Sequence, residues 1–440
     1  MGVLLLKRTN RILPVYAADI SGVCSALYEL GGMTVMHDAS GCNSTYTTHD
    51  EPRWYSMDSM VYISALSELE AVMGDDGKLV QDIVDAAANL HPAFICMGGT
   101  PIPMMMGTDF KGIARMIEKQ TGIPTFGIAT NGMHSYVRGA GEALRQIVKR
   151  FCPPGAELQK LAGNTGSPDG TSRKGTEREH ALRVNVLGVT PLDFSLTGNT
   201  ARLKDFLSDH GMENGGCWAM ESSLDELRLA GLADVNLVVS AAGLPAAGAL
   251  KELYGIPYVV GTPVGRLTSE RLAGYIRQAA EAGENRCLFE HAENALQPDS
   301  NSLQPEAGSA GAARPDLGLS GLPDDLSGER VLIIGEQVIA GSLRCSLREE
   351  FGADQVTVLC PAGGEKDLAM EGDIIDWDED EVISGIAEST VVVADPLYRQ
   401  VCPADRNRVF VDFPHEACSG RMYHSIMKPF VCSLNCSGEK

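Results

Sequence analysis

Short apolar runs alternate with stretches of helical period along most of the chain. PAFICMGG (92–99) is strand-like, and a Pro-rich turn separates it from the helix pattern DFKGIARMIEKQTG. TFGIAT and EALRQIVKRF repeat the order. A second series runs RVNVLGV, ARLKDFLSDHG, a segment around Cys217, SLDELRLAGLA, VNLVVSA, PAAGALKELYG and IPYVVG. A third opens at Glu329 with RVLIIG, AGSLRCSLREEFG, QVTVLC and STVVVADP. Strands that alternate with helices predict parallel sheets covered on their faces, so the expected class is α/β, with three Rossmann-like units whose parallel sheets are flanked by helices.

Breaks in the pattern set the boundaries. Residues 1–152 form the N-terminal α/β unit, and the polar stretch 153–180 reads as a linker or surface excursion. Residues 181–290 form the second unit, and 291–327, rich in Pro, Gly, Ser and Ala, read as a flexible linker. The third unit with its C-terminal tail covers 328–440. Between Glu371 and Glu381 seven of eleven residues are carboxylates, a pattern expected of a solvated loop.

Length and charge narrow the functions. A chain of 440 residues with 44% hydrophobic content supports two or three compact domains. A net charge of -22 without a basic stripe excludes nucleic acid as the expected partner. No apolar run reaches the ~18 residues of a membrane span, and MGVLLLKRTNR lacks the order of a signal peptide. A cytoplasmic, reducing location is therefore expected, in which the twelve cysteines stay free or bind metal.

The densest candidate chemistry lies between Cys24 and Trp54. CSALYELGGMTVMHDASGC places thiols on either side of a short apolar strand, and NSTYTTHDEPRW follows. A thiolate at the start of a helix gains from unpaired N–H groups, which favours metal or redox chemistry; two buried structural cysteines are the alternative. His37 and His49 flank Cys42, and His415 and Cys418 form an H-x-x-C step that reads more readily as incidental. Met104, Met105 and Met106 read as core filling before cavity lining. The chain has no G-x-x-x-x-G-K-[ST], no G-x-G-x-x-G after a strand with its acidic residue, no G-x-S-x-G and no H-E-x-x-H. ATP hydrolysis on this chain is thus not expected.

Four stretches together carry a family resemblance: Cys24 to Trp54, TPIPMMMGTDF, VNVLGVTPLDFSLTGNTARLKDFLSDHGM, and ADVNLVVSAAGLPAAGALKELYGIPYVVGTPVG. Their order resembles component 1 of nitrogenase and its relatives, among them dark-operative protochlorophyllide reductase and cofactor-assembly proteins. The resemblance implies a component 1-like fold and an oxidoreductase subunit. Such a subunit accepts electrons from a separate ATP-dependent, P-loop iron–sulfur reductase and reduces a substrate between the three units. It also implies that Cys24 and Cys42 fall on the family's first two interface cluster cysteines.

Departures modify the expectation. Where the family turn reads H-G-P-x-G-C, this chain has His37, Asp38, Ala39, Ser40, Gly41 and Cys42, and Pro101 stands where a third cysteine is expected. Two thiols from each of two chains match the four that a [4Fe–4S] cluster takes. The expected cofactor is therefore a [4Fe–4S] cluster shared across a homodimer or a heterodimer with a homologous component 1 subunit. Cys96 is a weaker substitute ligand, and neither the substrate nor a second metallocofactor is identified. The alternatives are a metallocofactor assembly scaffold of the same fold and a cluster-free, small-molecule-binding relative.

Overall fold

Three parallel sheets, one per unit, organise the chain in a computed structural model that describes residues 11–41, 43, 46, 50–164, 181–289, 317–375, 377–403 and 408–432. The first sheet contains β1 (Met33–His37), β2 (Val61–Ile63), β3 (Ile95–Gly99) and β4 (Thr125–Ile128) in the order β2-β1-β3-β4. Its helices are α1 (Asp19–Leu27), α2 (Glu68–Met73), α3 (Gly77–Leu90), α4 (Pro101–Met106), α5 (Phe110–Thr121) and α6 (Tyr136–Phe151), followed by α7 (Gly155–Asn164).

The second sheet holds β5 (Leu182–Leu187), β6 (Met212–Cys217), β7 (Val235–Val238), β8 (Tyr258–Val260) and β9 (Arg286–Cys287), ordered β6-β5-β7-β8-β9. It is covered by α8 (Pro191–Phe194), α9 (Asn199–Asp209), α10 (Leu224–Arg228), α11 (Leu244–Tyr254) and α12 (Arg266–Ala282). The third sheet, β11-β10-β12-β13, consists of β10 (Arg330–Ile334), β11 (Gln355–Leu359), β12 (Val391–Ala394) and β13 (Val409–Asp412), with α13 (Gln337–Phe351), α14 (Glu379–Glu388) and α15 (Glu416–Ser419). Every pairing between these strands is parallel, as the alternation predicts.

Several local expectations change. TPIPMMM is not a turn: Thr100 is the N-cap of α4 and Pro101 its first residue, where a missing N–H and a fixed φ suit a helix start. MENGGC forms β6, an edge strand masked by its two glycines. The acidic run is not wholly a loop. Asp378 and Glu381 form a capping box at α14. Glu379 accepts from the backbone N–H groups of Arg11, Ile12 and Leu13. Those bonds, led by Ile12, hold its carboxyl down to about 2. Within the expected linker, Leu317 and Leu326 are buried.

One apolar core runs through all three units, joining α1 and α6 to α11 and the second sheet, and β10 and α13 beyond it. α1 and α6 cross so closely that a Cβ on Gly22 would lie 2.0 Å from the Tyr136 carbonyl oxygen. One on Gly139 would lie 1.8 Å from that of Asp19. After β13 the chain turns back over the second unit. Phe430 and Val431 N–H groups donate to Asn199 Oδ1, and Cys432 N–H donates to the Pro263 carbonyl.

Candidate functional site

Each sheet reverses its strand order beside its first strand, and the carboxyl ends at such switch points leave a crevice. In the first sheet this point lies between β1 and β3, and it delivers His37, Asp38 and Thr100. Asp38 accepts from Ala39 N–H and the Asn43 amide, while Ser64 Oγ lies 2.8 Å from His37 Nδ1. Burial lowers the His37 pKa, and its buried Nε2 has no partner.

Cys24 sits in the middle of α1 and is fully buried. It shares an apolar cluster with Ile20, Tyr28, Met36 and Tyr46, and so packs against the segment that carries Cys42. Cys42 and His49 lie outside the described residues. Residues Asp50 to Arg53 then lock that segment to α1: Ser21 Oγ donates to Asp50 at 2.7 Å, and Ser25 Oγ donates to Glu51 at 2.7 Å. The Arg53 guanidinium, also buried, donates to Glu51, Glu29, the Ser25 carbonyl and the Ala219 carbonyl. Burial, with Cys96, Glu51 and Asp50 nearby, raises the Cys24 pKa well above the usual thiol range. Cys96 on β3 is likewise buried and its thiol pushed up by desolvation.

A [4Fe–4S] cluster takes four thiolates. Among the described residues, no three His, Cys, Asp or Glu side chains converge as a metal-binding set. The described chain contributes Cys24, placed against the Cys42 segment. Of the four thiolates the described residues offer Cys24 alone, fully buried. Met104 and Met105 line no core; with Leu69, Val72 and Met73 they are exposed on α2 and α4. This face stands at the carboxyl edge of the first sheet, where Leu66 N–H donates to the Asp38 carbonyl.

The switch points of the second and third sheets meet. Ala241, after β7, donates its N–H to Glu336 Oε1 at 2.8 Å, and Glu336, after β10, also caps α13 through Val338 and Ile339. Beside it the Tyr136 hydroxyl donates to Asp193 Oδ1 at 2.5 Å and Thr190 Oγ1 donates to Oδ2 at 2.8 Å. His415 Nε2 lies 3.4 Å from the Tyr136 oxygen and 3.5 Å from Asp193 Oδ1. His415 N–H donates to Asp395 at the end of β12. Tyr136 begins α6, Asp193 lies on α8, and His415 precedes α15, so one buried polar group draws on all three units.

A cleft of about 580 Å³ lies near this group without being lined by it: Ser135 and Val137, on either side of Tyr136, line it from the first unit with Arg138 and Lys149, Ala241 from the second and Ala362 from the third. Ala362 packs with Tyr136 in one apolar cluster. Of the polar group, sequence reasoning weighed only His415. Tyr136, Asp193 and Glu336 were missed, although Thr190-Pro-Leu-Asp193 after β5 carries an N-cap signal that positions Asp193.

Burial, with Asp193 adding to it, pushes the Glu336 carboxyl up to about 7 from 4.5, against the pull of its three N–H donors. A carboxyl whose folded pKa is raised adds stability below pH 4.5 and loses that contribution as pH climbs to about 7. In urea unfolding across that range, wild type should therefore lose stability relative to Glu336→Gln. Parallel pH profiles for the two proteins would refute the assignment.

A family model described as nitrogenase component 1 type oxidoreductase matches residues 22–392. The chain is 25% identical over 212 residues to a subunit of the light-independent protochlorophyllide reductase of Nostoc punctiforme, a match covering 48% of this chain and 39% of that protein. It is 22% identical over 354 residues to the nitrogenase iron-molybdenum cofactor biosynthesis protein NifE of Rippkaea orientalis, covering 78% and 66% respectively. The chain thus spans between about two fifths and just under two thirds of the length of these curated relatives. The solved structure "Nitrogenase Cp1 at pH 6.5" superposes with a TM-score of 0.63 at 15% identity, over 96% of this chain and 90% of that one, and so shares its fold. No described helix is long and apolar enough to cross a membrane.

Proposed function

The chain belongs to the nitrogenase component 1 type oxidoreductase family, and from that membership we propose that it is the substrate-bearing subunit of a two-component reductase. Electrons come from a separate ATP-hydrolysing iron–sulfur reductase, and a substrate is reduced in the cleft where the three units meet. The observation that carries this reading is the buried Tyr136–Asp193–His415 group, whose Tyr136 stands between the cleft-lining residues Ser135 and Val137. Reduction of a bound molecule consumes protons, and a sheltered acid–base group beside the cleft supports their delivery.

Asp193, bonded by Tyr136 and Thr190, orients His415. Glu336, with its pKa near neutrality, stores a proton one residue from the cleft wall at Ala241. Cys24 and Cys42, taken from two protomers, would hold a [4Fe–4S] cluster, which when bound supplies one-electron transfer. The exposed apolar face of α2 and α4 beside the Asp38 turn supports association with a second component 1 subunit at that edge.

Anaerobic purification followed by iron and sulfide counts tests the reading. Wild type is expected to carry about four irons and four sulfides per dimer, and both are lost in Cys24→Ser and Cys42→Ser. Folded, iron-free wild type would overturn it. A second reading, a cofactor-assembly scaffold, is favoured by the match to a cofactor biosynthesis protein over 78% of this chain. It gains if iron-loaded protein releases its metal to an acceptor and is never reoxidised by substrate after reduction.

A further inference from the structure

Next to the polar junction, a second set of groups leads through Glu416 to solvent at His424. His424 is part-exposed, its side chain 39% accessible, and its Nε2 bonds Glu416 Oε1; the Glu416 side chain is 1% accessible. Ser195 Oγ donates to the same carboxylate oxygen at 2.8 Å. An open cavity of about 430 Å³, lined by Ser195, His424 and Arg421, brings water to this point. Ser195, Glu416, Asp193 and Pro414, the residue before His415, border a separate cavity of about 20 Å³, which is room for one water.

Two buried polar atoms here have no partner: Glu416 Oε2 and His415 Nδ1. Buried polar groups are ordinarily bonded, so two orphans on neighbouring residues call for an explanation. Ser195 moreover holds a positive φ of 52° without being glycine, a strained conformation of the kind that concentrates at functional positions. That conformation accompanies its hydroxyl's bond to Glu416.

We propose that His424, Glu416 and His415 form a path by which protons pass from solvent to the buried junction, with one water closing the break between Glu416 Oε2 and His415 Nδ1. In one cycle the His424 imidazolium gives its Nε2 proton to the Glu416 carboxylate. The resulting acid turns the proton from Oε1 to Oε2 and passes it through the water to His415 Nδ1; His415 releases its Nε2 proton toward Asp193 and Tyr136, and a turn of the imidazole restores its starting tautomer. Solvent in the outer cavity reprotonates His424, so one proton enters for each delivered. Glu416 suits the middle position because burial raises its pKa, while Ser195 and His424 pull the other way. Ser195 is a positioning residue for Glu416.

The purpose of the path rests on the junction being a place where a substrate is protonated, but its test needs neither iron nor turnover, so the two readings fail separately. The exchange of the His415 ring proton with solvent is followed by NMR on the full chain labelled at histidine. The path predicts exchange slowed by about 10²-fold in both His424→Ala and Glu416→Gln. Added imidazole restores the rate in His424→Ala, where it replaces the missing group from the outer cavity, but not in Glu416→Gln. Unchanged exchange in the variants, or slowed exchange that imidazole leaves slow in His424→Ala, would overturn the path.

Discussion

Arg53→Met should destabilise the protein by about 3–5 kcal/mol, the cost of breaking a buried ion pair from one side. The guanidinium is 2% exposed and reaches Glu51 at 2.7 and 3.0 Å and Glu29 at 2.8 Å, with two backbone carbonyls taking its remaining donors. Without it, the fully buried Glu51 keeps a charge answered mainly by Ser25 Oγ and the residue 53 N–H. Ala219 would also lose the donor that binds its carbonyl, although it stands at an unfavourable φ of 93°. Lysine cannot replace the fork, since its single ammonium meets only part of this set. Urea midpoints for Arg53→Met and for Arg53→Met with Glu51→Leu check the cause: removing the stranded carboxylate should recover a large part of the loss. If the double variant is no more stable than the single one, the stranded charge is not the reason.

Gly139→Ala is expected to cost about 3 kcal/mol, the upper end for forcing atoms into a packed interior. The added carbon would meet the Asp19 carbonyl oxygen at 1.8 Å, and backbone cannot swing aside as a side chain does. Gly22→Ala meets the Tyr136 carbonyl at 2.0 Å across the same crossing. Once one substitution has pushed α1 and α6 apart, the other finds part of its space already open. The double variant should therefore lose less than the sum of the singles, as expected for residues that share a contact. Additive losses in a denaturation cycle would mean that the two glycines do not limit one common distance.

Much of the architecture was legible because period and punctuation act locally. MTVMH, RVLIIG and VNLVVSA read as strands because burial on both faces requires unbroken apolar runs. Where local signals conflict, the reading slips. Two glycines hid β6, and two prolines made the start of α4 look like a turn. The acidic run looked solvated because nothing within it reveals that Glu379 gathers backbone donors from residues 11 to 13.

The site was less legible for the same physical reason. Tyr136, Asp193 and His415 are separated by 57 and 279 positions along the chain, and only the packing of three sheets brings them together. Arg53 and Glu51, charged and two residues apart, read as surface in a sequence and prove to be buried. The thiol pair was visible as a motif, yet the complete burial of Cys24 beneath Tyr46 depends on how that motif folds back.

The bare crossing of α1 on α6 has a mechanical consequence. With no side chains between them at Gly22 and Gly139, there is no soft layer to absorb a displacement, and the two rods slide or tilt as one body. One rod bears the sulfur of Cys24; the other presents Arg138 and Lys149 to the cleft. The wall of the cleft and the thiol thus stand on one closely packed pair of helices.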